Sequence, residues 1–153
     1  MKKILAFIIC IATVLALPSC EKTIGEKGDV TVIVETASGE YEVYKTYLEN
    51  VENKDSGALG VLESLASREE NPLHLVYSNG TYGAYINEIG SIKEDSSAGA
   101  YVMIYTSERS DSYEGAPTVT YEGTVLYSSG VGAAMMKANA NTVILFRIEV
   151  YSF

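Results

Sequence analysis

Along most of this chain apolar residues recur at every second position, and in one stretch the period lengthens to that of a helix. Val30, Val32 and Val34 alternate with Thr31, Ile33 and Glu35. Beyond Ser38-Gly39, the residues Tyr41, Val43, Lys45 and Tyr47 alternate with Glu42, Tyr44, Thr46 and Leu48. Successive side chains of a strand point to opposite faces, so this pattern predicts two half-buried strands joined by a tight hairpin. Further strands are expected at residues 73–77, at 82–90 after the Asn79-Gly80 turn, at 101–106, and at 118–121 and 124–127 around Glu122-Gly123. The last is expected at 142–151, with Ile144, Phe146, Ile148 and Val150 on one face and Val143, Leu145, Arg147, Glu149 and Tyr151 on the other. Residues 91–99 and 107–117 are polar and read as loops.

The helical stretch is marked by Ala58, Val61, Leu62 and Leu65, spaced i, i+3, i+4, i+7, with Asp55 or Ser56 as N-cap and Asn71-Pro72 as the stop. Gly57 and Gly60 each cost such a helix about 1 kcal/mol relative to alanine, so its stability must come from packing against a sheet. One amphipathic helix among many strands predicts an α+β fold with a mixed or antiparallel sheet, and residues 29–153 suit one domain.

The N-terminus follows different rules. Met1-Lys2-Lys3 is followed by an apolar run from Ile4 to Leu17, too short to span a bilayer, so residues 1–19 read as an export signal. The run ends in Leu17-Pro18-Ser19-Cys20, which resembles the lipobox of bacterial lipoproteins. That resemblance implies cleavage before Cys20, a thioether to diacylglycerol on its sulfur, and a protein anchored by lipid on the outer side of a bacterial cell membrane. Cys10 leaves with the signal, so Cys20 would be the sole cysteine of the mature chain, with no disulfide or thiolate metal site available. Residues 20–28 are polar and punctuated by Gly25 and Gly28, and are expected to be a tether.

With 20 acidic against 11 basic residues, the chain carries a net charge of −9. A surface of that sign repels nucleic acid and anionic headgroups, so lipid on Cys20 rather than a basic patch must hold the protein at a membrane. Catalytic signatures are lacking. His74 is the single histidine, and it sits in an alternating apolar stretch with no nucleophile or acid at motif spacing. The pairs Glu69-Glu70 and Glu94-Asp95 read as solvated surface, and no phosphate loop or zinc motif is present. The expectation is a protein without catalytic residues, metal or resident cofactor.

A family resemblance rests on the order of elements and on three segments. These are Tyr82-Gly83-Ala84-Tyr85-Ile86-Asn87-Glu88-Ile89-Gly90, Ala100-Tyr101-Val102-Met103-Ile104-Tyr105-Thr106, and Lys137-Ala138-Asn139-Ala140-Asn141 before the last strand. Over residues 29–153 the chain resembles the DUF4430 family, itself similar to the C-terminal β-domain of transcobalamin and intrinsic factor. The resemblance implies a β-grasp-like mixed sheet packed on one amphipathic helix, and a small ligand, cobalamin or a related corrinoid. Val102 stands where the family often has tryptophan. The last turn has Asn139 and Asn141 in place of glycine, and asparagine tolerates left-handed geometry.

The chain has twelve tyrosines and no tryptophan. By alternation Tyr101, Met103 and Tyr105 share one side of their strand and Val102 and Ile104 the other. If the aliphatic pair packs on the helix, the tyrosine stripe faces outward, where Tyr82 and Tyr85 can join it. Tyr82, Tyr85, Tyr101, Met103 and Tyr105 are therefore the candidate ligand contacts. A concave pocket among them favours a small ligand, and a flat patch favours a protein- or glycan-binding adhesion surface. Otherwise the tyrosines only coat a half-exposed sheet, where aromatic residues suit cross-strand packing.

Overall fold

The computed structural model describes residues 24–81 and 83–152; the signal segment, Cys20, Tyr82 and Phe153 lie outside the described residues. The alternating runs form strands β1 (Asp29–Glu35), β2 (Tyr41–Tyr47), β3 (Leu75–Gly80), β4 (Gly83–Ile89), β5 (Ile92–Lys93), β6 (Ala100–Thr106), β7 (Thr118–Tyr121), β8 (Thr124–Ser128) and β9 (Thr142–Val150). The stretch of longer period forms helix α1 (Gly57–Ala66).

Six strands make one mixed sheet in the order β2-β1-β9-β6-β8-β7, and β3-β4-β5 make a second, antiparallel sheet. In the large sheet β1 and β9 are parallel, Val30 facing Thr142 and Val34 facing Phe146, while the other pairs are antiparallel. Residues 91–99, expected as a loop, instead hold β5 and a short 3-10 turn capped by Asp95, whose carboxylate accepts from the Ser97 and Ala98 amides.

The inner face of the large sheet carries Val30, Val32, Val34, Val102, Ile144 and Phe146. Against it pack Ala58, Val61, Leu62 and Leu65 of α1 and Ala84, Ile86, Ile89 and Ile92 of the small sheet. The four helical positions picked out by spacing are each at most 1% exposed. The helix ends earlier than the Asn71-Pro72 signal. The Ser67 hydroxyl donates to the Glu63 carbonyl, the chain turns through Asn71 at φ 49°, and Leu73 folds back so that its amide reaches the Leu65 carbonyl.

The outer face has a smaller core. Ile33, Tyr105, Leu126 and Leu145 are buried there, flanked by Met103, Val119, Tyr121 and Val143. The β7–β8 hairpin pairs with β6 only at Tyr105 and Thr106 and then lies over this face, until Tyr121 meets Tyr41 of β2 edge-on at 5.1 Å. Glu122 (φ 46°) and Gly123 (φ 82°) supply the left-handed turn at its tip.

The tether expectation is corrected for residues 24–28. Ile24 is 2% exposed and bridges to Ala138, and the Gly28 carbonyl accepts from the Leu48 amide. One apolar residue within a polar run suffices to dock it, which the run's composition conceals.

Candidate functional site

β4 meets β5 only at Glu88 and Ile89, and β6 meets β8 only at Tyr105 and Thr106, so each leaves part of one edge without a neighbouring strand, and both border one gap. Below the gap the two elements are stitched together, because Glu94 N donates to the Asn87 carbonyl while Asp95 and Ala100 bond each other in both directions. Above it the loop after β8 closes in, with Ser129 N donating to the Ile104 carbonyl. Gly132 Cα stands 3.4 Å from where a side chain on Gly83 would begin. Between these limits is a cleft of about 300 Å³, at the lower end of the size that takes small ligands.

Its walls are Ala84, Tyr85 and Ile86 of β4, Val102, Met103 and Ile104 of β6, the turn residues Gly80, Thr81 and Gly83, and residues 129–132. Among the described residues no charged side chain lines it. Other hollows are larger, but their character differs: one of about 540 Å³ at the β1–β2 turn is lined mainly by Glu35, Thr36, Ser38 and Arg147. Another, of about 490 Å³, runs along α1 past Asn50, Glu52, Glu63 and Ser64. An apolar recess with a few polar groups is the usual character of a ligand site, and the β4–β6 cleft alone among these has it.

Tyr85 is 40% exposed and is one of the residues that line the cleft. Burial, a hydrogen bond to Glu94 and that residue's charge push its hydroxyl well above the usual tyrosine range, with the phenol of Tyr101 adding to the effect. The Glu94 carboxylate also accepts from Asn87 Nδ2 at 3.1 Å. The phenol is therefore a neutral donor beside Glu94.

Of the five candidate contacts, Tyr85 and Met103 line this cleft and Tyr82 lies outside the described residues. Tyr101 is half-buried beside Tyr151, ring centroids 6.3 Å apart, on the opposite face of β6 from Val102. Tyr105 requires a correction: it is 2% exposed in the outer core, its hydroxyl donates to Glu149, and burial and Glu149 raise its pKa far above the tyrosine range. The alternation placed Tyr105 on the outer face correctly, but the β7–β8 hairpin covers that face. Tyr101 and Tyr105 do not join Tyr85 in the lining of this cleft. The cleft instead uses Val102 and Ile104, assigned to the core by alternation, and glycines at its mouth. Gly80 and Gly83 flank one turn and Gly130 and Gly132 another, and that clustering was the available signal in the sequence.

His74 shares Glu88 with Lys93 on the surface, at 3.0 and 2.6 Å. Among the described residues no three His, Cys, Asp or Glu side chains are gathered to hold a metal ion.

Neither a family model nor a curated protein sequence matches the chain. Solved structures share its fold, two of them as follows. A candidate metal-binding protein from Ruminococcus gnavus aligns with TM-score 0.54 and 13% identity, covering 82% of this chain and 99% of that one. Haptocorrin in complex with Cbi aligns with TM-score 0.57 and 15% identity over 82% of this chain, which spans only 26% of haptocorrin. The chain thus shares its fold with both.

Proposed function

We propose that this chain is a non-catalytic binding module, anchored by lipid on Cys20 outside a bacterial cell membrane, which captures a small ligand in the β4–β6 cleft. The carrying observation is the uncharged, largely apolar cleft between β4 and β6, with Tyr85 in its wall. The parallel β1–β9 pair beside a single helix supports a β-grasp-like reading of the fold, and the DUF4430 resemblance agrees with it. The likeness to haptocorrin supports a corrinoid as the ligand. A cleft of about 300 Å³ would hold one edge of such a macrocycle, the rest lying against solvent or a second protein.

The test is a screen of purified residues 21–153 against cobalamin, its precursors and haem, read by absorbance and thermal shift. Binding should be lost in Gly80→Trp, because Gly80 lines the cleft and only the Gly83 carbonyl, at 3.6 Å, lies near its missing side chain. A corrinoid that leaves the melting temperature unchanged at high micromolar concentration overturns the corrinoid reading.

A second reading has its own observation. Tyr41, Val43 and Tyr47, on the outer face of edge strand β2, are 48%, 40% and 59% exposed. Such a stripe suits adhesion to protein or glycan, and Tyr47→Ala abolishing cell-surface binding while the cleft still binds ligand would favour it.

A further inference from the structure

Hydrogen-bond bookkeeping along the two facing edges points to a ligand class. In an antiparallel ladder, bonded pairs alternate with non-bonded ones. Tyr151 N donates to the Gly99 carbonyl and Ser107 N to that of Val143, so the odd-numbered residues of β6 are those bonded to β9. The even-numbered ones turn their N–H and C=O to the other edge. There Ala100 is bonded to Asp95, and the Ile104 carbonyl accepts from Ser129. Val102, between them, is paired with no strand on that side.

The opposite wall shows the same feature. The two-residue turn makes Gly80 and Gly83 a bonded pair, so Tyr85 bonds Ser78 and Ala84 turns its N–H and C=O away from β3. β5 reaches β4 only at Glu88 and Ile89, leaving Ala84 without a strand on that side. Ala84 is 1% and Val102 5% exposed. Buried backbone groups are almost always paired, and here two residues with no strand partner on one side line opposite walls of the candidate ligand cleft.

We infer that this cleft also takes a short extended peptide, which enters between β4 and β6 and pairs its backbone with Ala84 and Val102. This rests on the cleft being the binding site. Strand addition to open sheet edges uses main-chain bonds for affinity and side-chain pockets for selectivity. Ile86, Ile104 and Val131 offer pockets for apolar side chains, and the glycines at the mouth let a second backbone approach.

The experiment uses the full chain in detergent and a mixed set of tetrapeptide amides bearing valine, leucine or isoleucine at positions two and four. Each is paired with a counterpart N-methylated at those positions. Peptides should raise the melting temperature and slow amide exchange at Ala84 and Val102, and the methylated forms should bind about tenfold more weakly, the loss of one or two backbone bonds. Equal binding of both forms overturns strand pairing. If no peptide binds while cobalamin or haem shifts the melting temperature, the peptide inference falls and the cleft stands. If nothing binds, both fall.

Discussion

Gly60 shows how a residue that weakens its own element can be required by the whole. A side chain there would begin 2.1 Å from the Asn53 carbonyl oxygen, a backbone atom that cannot swing aside. Helix propensity alone makes Gly60→Ala stabilising by about 1 kcal/mol; the close approach makes it destabilising by about 1–3 kcal/mol. Urea denaturation decides between the signs, and we expect a lower midpoint. Tyr105→Phe should cost about 1 kcal/mol through the lost bond to Glu149 and leave ligand binding unchanged. Tyr85→Ala should do the reverse, weakening binding with little loss of stability, since Tyr85 is 40% exposed at the cleft.

Among elements, the 3-10 turn Arg109–Asp111 is tied to the segment before β9 by one buried carboxylate. Asp111 is 8% exposed, and its Oδ2 accepts from Lys137 N at 2.6 Å. Burial raises its pKa above 3.8, outweighing the pull of the Lys137 amide. A carboxyl with a raised native pKa holds its proton more tightly when folded, so its contribution is greatest at low pH and declines as pH rises from the unfolded value through the native one. Asp111→Asn keeps an acceptor for Lys137 and removes the charge. Its stability relative to wild type should therefore improve as pH climbs through that window, in denaturation curves taken at successive pH values. The elements themselves were legible because burial of one face imposes a period, as along Val30, Val32 and Val34. Alternation says which face Tyr105 takes, but not that a hairpin distant in sequence will cover it. The cleft was illegible for a related reason: its walls are strand edges, and which edge faces which depends on register and sheet order, to which side-chain period is blind.

At the scale of the molecule, the N-terminal segment is part of the fold and not only a leash. A chain beginning at Asp29 loses the burial of Ile24 against Ala138 and should be less stable by about 2–4 kcal/mol than one beginning at Lys22, measured by denaturant unfolding. On our reading, lipid on Cys20 therefore sits only a few residues from the packed domain, which holds the domain close to the bilayer surface. Cys20→Ala should abolish acyl labelling and release the protein from membranes, and persistence of both would refute the anchor. The central pairing of β1 with β9 joins residues 30–34 to 142–146, nearly the full length of the domain. Contacts so distant in sequence make folding slow, and the large sheet lacks its middle until the final strand is available. A chain built this way stays threadable for as long as its tail is held back. On our reading of residues 1–19 as an export signal, that is the property which passage through a membrane pore demands.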